Sequence, residues 1–168
     1  MILNTGKMVV YPLQGPCRVG AVVTKDFGCG PTSCYPLAVM DDSGDMLFVP
    51  VDKINHLGIR RPMKRSEIWR LLRELSREVE TAMKPSTPRN WRNRAIDNSK
   101  LLGSGSVSDL AEIIRSLTES NKTKLLSTRD RQLLDQARKI LICEISEVMG
   151  ETRSAAEQMV DKALNTQK

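Results

Sequence analysis

Apolar and polar residues follow one pattern in the first third of the chain and a different pattern in the rest. Runs rich in β-branched and aromatic residues at 8–12, 17–25, 33–40 and 46–51 predict four short strands, which are separated by turn-forming Gly, Pro and Asp residues. Short strands at this spacing favour a small, strongly bent antiparallel sheet or partial barrel.

From Arg61 onward the apolar residues recur at intervals of three and four, which is the period of an amphipathic helix. Two prolines, Pro85 and Pro88, break the first helix, and later helices are expected to begin near Arg89, after Ser106 and after Ser127. With a last short helix, about five helices can bury their apolar faces in a mutual bundle. The predicted class is therefore α+β, with a sheet domain over residues 1–60 and an all-α domain over residues 64–168.

Charge is unevenly distributed along the 168 residues, which carry 26 basic and 20 acidic side chains for a formal charge of +6. Residues 1–63 contribute +1 and residues 101–168 contribute 0, whereas residues 64–100 contribute +5. Most of that excess lies in residues 84–100, which contribute +4. The positive charge is therefore concentrated around the first two predicted helices and the connection between them.

The composition argues against several classes of function. His56 is the single histidine, so multi-histidine metal sites and catalytic triads that do not use His56 are excluded. No apolar run approaches the roughly 18 residues needed to span a bilayer, and no secretory signal is recognisable. A cytoplasmic, monomeric protein with four reduced cysteines is expected. No catalytic residue, metal site or cofactor is predicted.

One short segment combines arginines, two asparagines and a tryptophan just after the proline break. Arginine suits phosphate in charge and geometry, asparagine can bond base edges or sugars, and an indole can stack on a base or wedge between bases. The alternative is that the tryptophan anchors the start of a helix, and local sequence slightly favours this because tryptophans usually bury most of their surface. The segment is Pro88-Arg89-Asn90-Trp91-Arg92-Asn93-Arg94.

Two further features are open to more than one interpretation. Trp69 lies beside the apolar face formed by Ile68 and Leu72, so it is expected in the core or at a domain interface. Basic residues flank the helix start at Ser127, where a helix N-terminus could hold a phosphate, although a plain capped helix explains them equally well. These basic residues are Lys122, Lys124, Arg129 and Arg131.

Several motifs, taken in order along nearly the whole chain, resemble the CarD/CdnL family of bacterial RNA polymerase-binding transcription regulators. Each motif is modest alone, but their common order and spacing make the resemblance specific. The motifs are Gly6-x-x-Val9-Val10-Tyr11-Pro12-x-x-Gly15, Val49-Pro50-Val51, Gly58-Ile59-Arg60, Asn90-Trp91-x-x-Arg94, Leu126-Ser127, Leu133-Leu134-x-x-Ala137-Arg138 and Leu141-Ile142-x-Glu144.

The resemblance implies a Tudor-like domain at 1–60 that binds the RNA polymerase β subunit, and a helical domain at 64–168 that contacts promoter DNA. It places Trp91 as a wedge in the minor groove at the upstream edge of the melted bubble, with DNA phosphates as the main other contacts. Implied DNA-binding residues are Arg89, Asn90, Trp91, Arg92, Arg94 and Arg131, and implied polymerase-binding residues are Lys25, Phe48, Val49 and Pro50. Phe48 replaces a commonly basic residue of the family, while Asn93 and Ala95 replace a common arginine and aromatic.

Three other functions stay open at this point. The first is a free-standing, non-specific DNA-binding or architectural protein that needs no polymerase. The second is an adaptor without a DNA role, in which the basic segment is a solvated helix face. An enzyme is the remotest alternative, because no group of side chains in the sequence defines a reaction.

Overall fold

The structure is a computed structural model, which describes residues 1–77 and 98–165. An antiparallel five-stranded sheet, followed by a 3₁₀ helix, forms its N-terminal part. The strands are β1 (Met8–Tyr11), β2 (Gly15–Val19), β3 (Val23–Asp26), β4 (Pro31–Val39) and β5 (Met46–Pro50), and the 3₁₀ helix spans Val51–His56.

The longest strand, β4, organises the sheet. Along one edge it pairs first with β3, through Cys34 opposite Val23, and then with β2, through Leu37 opposite Val19. Its other edge pairs with β5. Strand β1 pairs with β2 and also forms a bridge to Arg60, so the sheet bends around its own core without closing.

The predicted strand at 17–25 is two strands, which corrects the expected count from four to five. The chain leaves β4 at Gly20, whose N–H donates to the Pro36 carbonyl at 2.7 Å. A Cβ at Gly20 would lie 2.7 Å from Pro36 Cγ, so only glycine allows this approach. The break lets β2 and β3 share one edge of β4.

The helical part follows at residue 65, and its elements surround a second apolar core. Residues 98–103 are also helical and end near Gly103, as the sequence predicts, whereas the predicted start near Arg89 lies outside the described residues. With that stretch, the described part contains five helical segments, which confirms the α+β prediction. The four named helices are α1 (Arg65–Leu75), α2 (Val107–Thr123), α3 (Thr128–Met149) and α4 (Arg153–Asn165).

Helix ends and buried faces follow the sequence pattern closely. Ser106 Oγ accepts the Asp109 N–H, and Ser127 Oγ accepts the Asp130 N–H at 3.1 Å, so both predicted N-caps are confirmed. Gly150 ends α3 with a left-handed φ of 70°. None of the helices within residues 1–77 and 98–165 has the length and apolar character needed to cross a membrane.

Helix α3 joins the two parts by packing on β2, where Gly15 would place a Cβ only 3.6 Å from Ile140 Cα. The sheet and helices are therefore docked, but Trp69 takes no part in the buried contact. It is 52% exposed, so its predicted core or interface position is wrong. Ile68 and Leu72 point into the core, and residue 69 lies about 100° around the helix from Ile68.

Candidate functional site

Two of the residues implied in polymerase binding, Lys25 and Phe48, meet on the outer face of the sheet. Phe48 lies opposite Pro36 and Lys25 opposite Thr32, and residues that differ by an even number on one strand share a face. The Lys25 Nζ lies 3.3 Å from the centroid of the Phe48 ring. This cation–π contact places a positive charge directly over an aromatic surface.

The other two implied residues have different surroundings. Val49 lies opposite Tyr35 on the core face and is 4% exposed, so only its backbone can reach a partner. Pro50 lies opposite Cys34 on the outer face and is half-buried. The four implied residues therefore form an outer pair, a core residue and a strand end, all on β3 and β5.

Strand β5 offers a free edge for pairing. Among the described residues it pairs only with β4, so its second edge carries no strand partner. Exposed apolar side chains lie at both ends of this strand. Met46, its first residue, is 55% exposed, and Val51, just after its last residue, is 41% exposed. An unpaired edge beside apolar surface can accept a strand from another protein through backbone hydrogen bonds.

Most of the implied DNA-binding residues fall in a part of the chain that the structure does not describe. Arg131 is the exception, and it lies exposed in the first turn of α3. Arg129 is also exposed there, beside the positive end of the helix dipole, whereas Lys122 is paired with Glu119 at 3.0 Å. The residues outside the described ranges are Arg89, Asn90, Trp91, Arg92 and Arg94.

A buried ion pair fixes the sheet relative to the helices. The two terminal nitrogens of the Arg60 guanidinium each donate to one oxygen of the Glu144 carboxylate at 2.7 Å. The Met63 N–H donates to the same carboxylate at 2.7 Å. Glu144 is fully buried, and Arg60 Nε also donates to the Gly105 carbonyl at 2.7 Å. This pair is not predicted from the sequence above, although a glutamate within the apolar stripe of α3 is a usable signal for a buried charge.

A second contact between sheet and helix changes the ionisation of an aspartate. Lys139 Nζ donates to Asp41 at 2.6 Å, and this bond, with one from Ser43, lowers the Asp41 pKa to about 2. Arg153 reinforces the contact by donating to the Met40 carbonyl. The ionised Asp41 therefore helps to hold α3 on the sheet at neutral pH.

The cysteines divide into interior and surface positions. Cys17, Cys34 and Cys143 are buried, while Cys29 is exposed in the β3–β4 turn. Burial raises the pKa of the Cys17 thiol to about 11, which leaves it protonated at neutral pH. Within the described residues, no group of histidine, cysteine and acidic side chains is arranged to hold a metal ion.

Comparison with known proteins identifies the class to which this architecture belongs. Residues 3–63 match the CarD-like/TRCF RID domain, an RNA polymerase-interacting domain, and residues 70–161 match the CarD C-terminal domain. These domains define a transcription regulator. The chain belongs to the CarD family, and the resemblance noted in the sequence is confirmed.

A full-length relative supports the same assignment. The chain is 24% identical over 151 residues to the Bacillus subtilis (strain 168) protein named "Putative transcription factor YdeB". The aligned region covers 90% of this chain and 95% of that protein. The likeness therefore includes both the sheet and the helices.

Proposed function

We propose that the protein stabilises the promoter open complex by binding two partners at once. The domain at 1–60 binds the RNA polymerase β subunit, and the domain at 64–168 binds promoter DNA at the upstream fork of the bubble. The DNA contact uses phosphates and the minor groove and reads no base sequence. Membership of the CarD family and the RID match at residues 3–63 support the polymerase partner.

The polymerase contact uses the free edge of β5 and the outer face beside it. A strand of the β subunit adds to β5 through backbone hydrogen bonds, to which Val49 contributes without exposing its side chain. Lys25 supplies, over the Phe48 ring, the positive charge that the family commonly has at that position. The replacement of a basic residue by Phe48 is thus compensated by its neighbour across the sheet.

The DNA contact depends on Trp91, which enters the minor groove and opposes re-stacking at the fork. Unstacking one base step costs a few kcal/mol, and a preference of about 1.4 kcal/mol for the open state raises its ratio to the closed state about tenfold. Nearby side chains position the DNA through its phosphates and sugars. They are Arg89, Asn90, Arg92, Arg94 and Arg131.

The observation that carries this proposal is the fixed docking of the two halves through Arg60 and Glu144. Because the sheet cannot turn freely against the helices, binding at β5 presents the helical domain to DNA in one orientation. A DNA contact that is weak alone then acts at high effective concentration. If about four phosphates are neutralised, the logarithm of the DNA-binding constant should fall with the logarithm of the salt concentration with a slope of roughly −3.6.

The test is the lifetime of promoter complexes formed by RNA polymerase, measured by competitor challenge with and without the full-length protein. Trp91→Ala should shorten the lifetime about tenfold while polymerase binding stays unchanged. Lys25→Glu should weaken polymerase binding, and Lys7→Glu, before β1 at the other end of the sheet, is its charge-matched control. Unchanged lifetimes with Trp91→Ala contradict the wedge, and tight DNA binding without polymerase at physiological salt indicates a free-standing DNA-binding protein.

A further inference from the structure

One exposed face of α1 has a composition that the polymerase contact and the Trp91 segment do not explain. Trp69 is 52% exposed, and Arg65 and Arg73 lie one turn before and one turn after it. Residues four apart are neighbours on a helix surface, and both arginines are exposed. We name the three residues Arg65, Trp69 and Arg73 the α1 basic face.

The positive charge of this face is not balanced by the acidic residues of the same helix. Glu67 lies on the far side, where its carboxylate accepts the Lys64 N–H at 2.7 Å to cap the helix. Glu74 is also on that side. Among the described residues, neither Arg70 nor Arg73 forms an ion pair. Within the ranges that the structure describes, Arg65 donates a long hydrogen bond to the Met149 carbonyl at 3.4 Å.

A single exposed tryptophan is ordinary, but an indole between two available arginines fits a particular partner. Nucleic acid presents a row of negatively charged phosphates along its backbone. Each phosphate is followed by a sugar that carries a flat base. Arginine recognises the first and an indole stacks on the second. An acidic protein surface would also match the arginines, but DNA combines phosphates and flat bases in every nucleotide.

We propose that the α1 basic face is a second DNA contact, in which Trp69 stacks on an unpaired base at the fork and Arg65 and Arg73 bind the flanking phosphates. The inference rests on the proposed DNA partner and adds a contact separate from Trp91. Helix α1 ends at Leu75, only 16 residues before Trp91 in the sequence. Both tryptophans belong to residues 64–100, the segment that contributes +5 to the formal charge.

Fluorescence of a single tryptophan tests the stacking directly. In the full-length Trp91→Phe variant, Trp69 is the sole tryptophan, so its emission reports only the α1 basic face. Titration with a forked duplex carrying unpaired bases should quench that emission, and a blunt duplex of the same length should quench it less. Equal response to both duplexes, or no response to either, overturns base stacking by Trp69.

Affinity measurements on the same forked DNA test the energetic contribution. Trp69→Ala should weaken binding about tenfold, with partial rescue by Trp69→Phe. Arg73→Gln should reduce the magnitude of the salt slope by about 0.9. Arg18→Gln, which removes an exposed arginine from β2, is the charge-matched control and should leave the DNA affinity unchanged.

The outcomes separate this inference from the proposed function. If Trp91→Ala weakens DNA binding and Trp69→Ala does not, the α1 basic face is not a DNA contact and the wedge proposal stands. If Trp69→Ala lowers the melting temperature while DNA affinity is unchanged, Trp69 packs against its own chain and the inference is overturned. If neither tryptophan affects binding to the fork, both proposals fail.

Discussion

Removal of the buried carboxylate at Glu144 gives the sharpest test of how the two halves are held together. Glu144→Ala leaves the Arg60 guanidinium, whose side chain is 20% exposed, without its bidentate partner. It also leaves the Met63 N–H, in a residue that is 5% exposed, without its acceptor. Breaking one side of a buried ion pair costs about 3–5 kcal/mol, because the remaining charge stays buried and unpaired.

That cost predicts a large shift in thermal stability. For a chain of this size each kcal/mol lowers the melting temperature by about 2–4 °C, so Glu144→Ala should lower it by about 6–20 °C. The assay is thermal and urea unfolding followed by circular dichroism. Glu147→Ala on the same helix is the matched control, because its 3.3 Å pair with Arg153 is about one-third exposed and should contribute at most about 1 kcal/mol.

A double-mutant cycle separates the ion pair from other losses at the same positions. In the double variant Arg60→Met with Glu144→Ala both charges are gone, so the penalty for an unpaired buried charge disappears. The double variant should be more stable than the sum of the single effects predicts, by about 1–3 kcal/mol. Strictly additive single effects, or a Glu144→Ala shift as small as that of Glu147→Ala, would refute this account of the docking.

Three further predictions concern Gly105, Gly103 and the Asp41–Lys139 ion pair. Gly105→Ala should destabilise by about 2–4 kcal/mol, because φ is 75° and a Cβ would lie 2.3 Å from the Gly58 carbonyl oxygen. Gly103→Ala, in a helical position with no atom near the new methyl group, should be stabilising by about 0.5–1 kcal/mol in the same urea titration. The Asp41–Lys139 pair, with the Asp41 pKa lowered from 3.8 to about 2, should contribute fully above about pH 4 and progressively less as the pH falls toward 2. Lys139 is 62% exposed, so the ion pair contributes at most about 1 kcal/mol to the free energy of unfolding. The difference in this free energy between Asp41→Asn and the native protein should shrink below about pH 4. A difference that stays constant with pH would contradict a stabilising role of the ionised Asp41.

Helical features were predictable because their determinants are close together in sequence. Ile68, Leu71, Leu72 and Leu75 repeat with the helical period, and all four are buried. The N-caps at Ser106 and Ser127 need only the next three residues to be recognised. A pattern that extends over one or two turns is visible without knowledge of the tertiary fold.

Features that depend on distant residues were missed. The break between β2 and β3 needs Pro36 to approach Gly20; an isolated glycine within a strand pattern is a signal for such an approach, but the residue it meets lies on another strand. The exposure of Trp69 depends on which residues of α1 face the core, since a tryptophan beside an apolar stripe can lie on either side of its boundary. The hydrophobic and polar pattern did not predict the cation–π contact between Lys25 and Phe48, because the two residues lie on different strands.

Arg60 explains how a small sheet and a helical bundle can act as one body. Its backbone pairs with Val10 of β1 in both directions, with the Val10 N–H donating at 2.8 Å and the Arg60 N–H donating at 3.1 Å. Its side chain meanwhile reaches Glu144 on α3. One residue thus belongs to the sheet by its backbone and to the helices by its side chain. In the function we propose, a partner bound at β5 restricts the orientation of the whole helical domain, and weak contacts with DNA then act at high effective concentration.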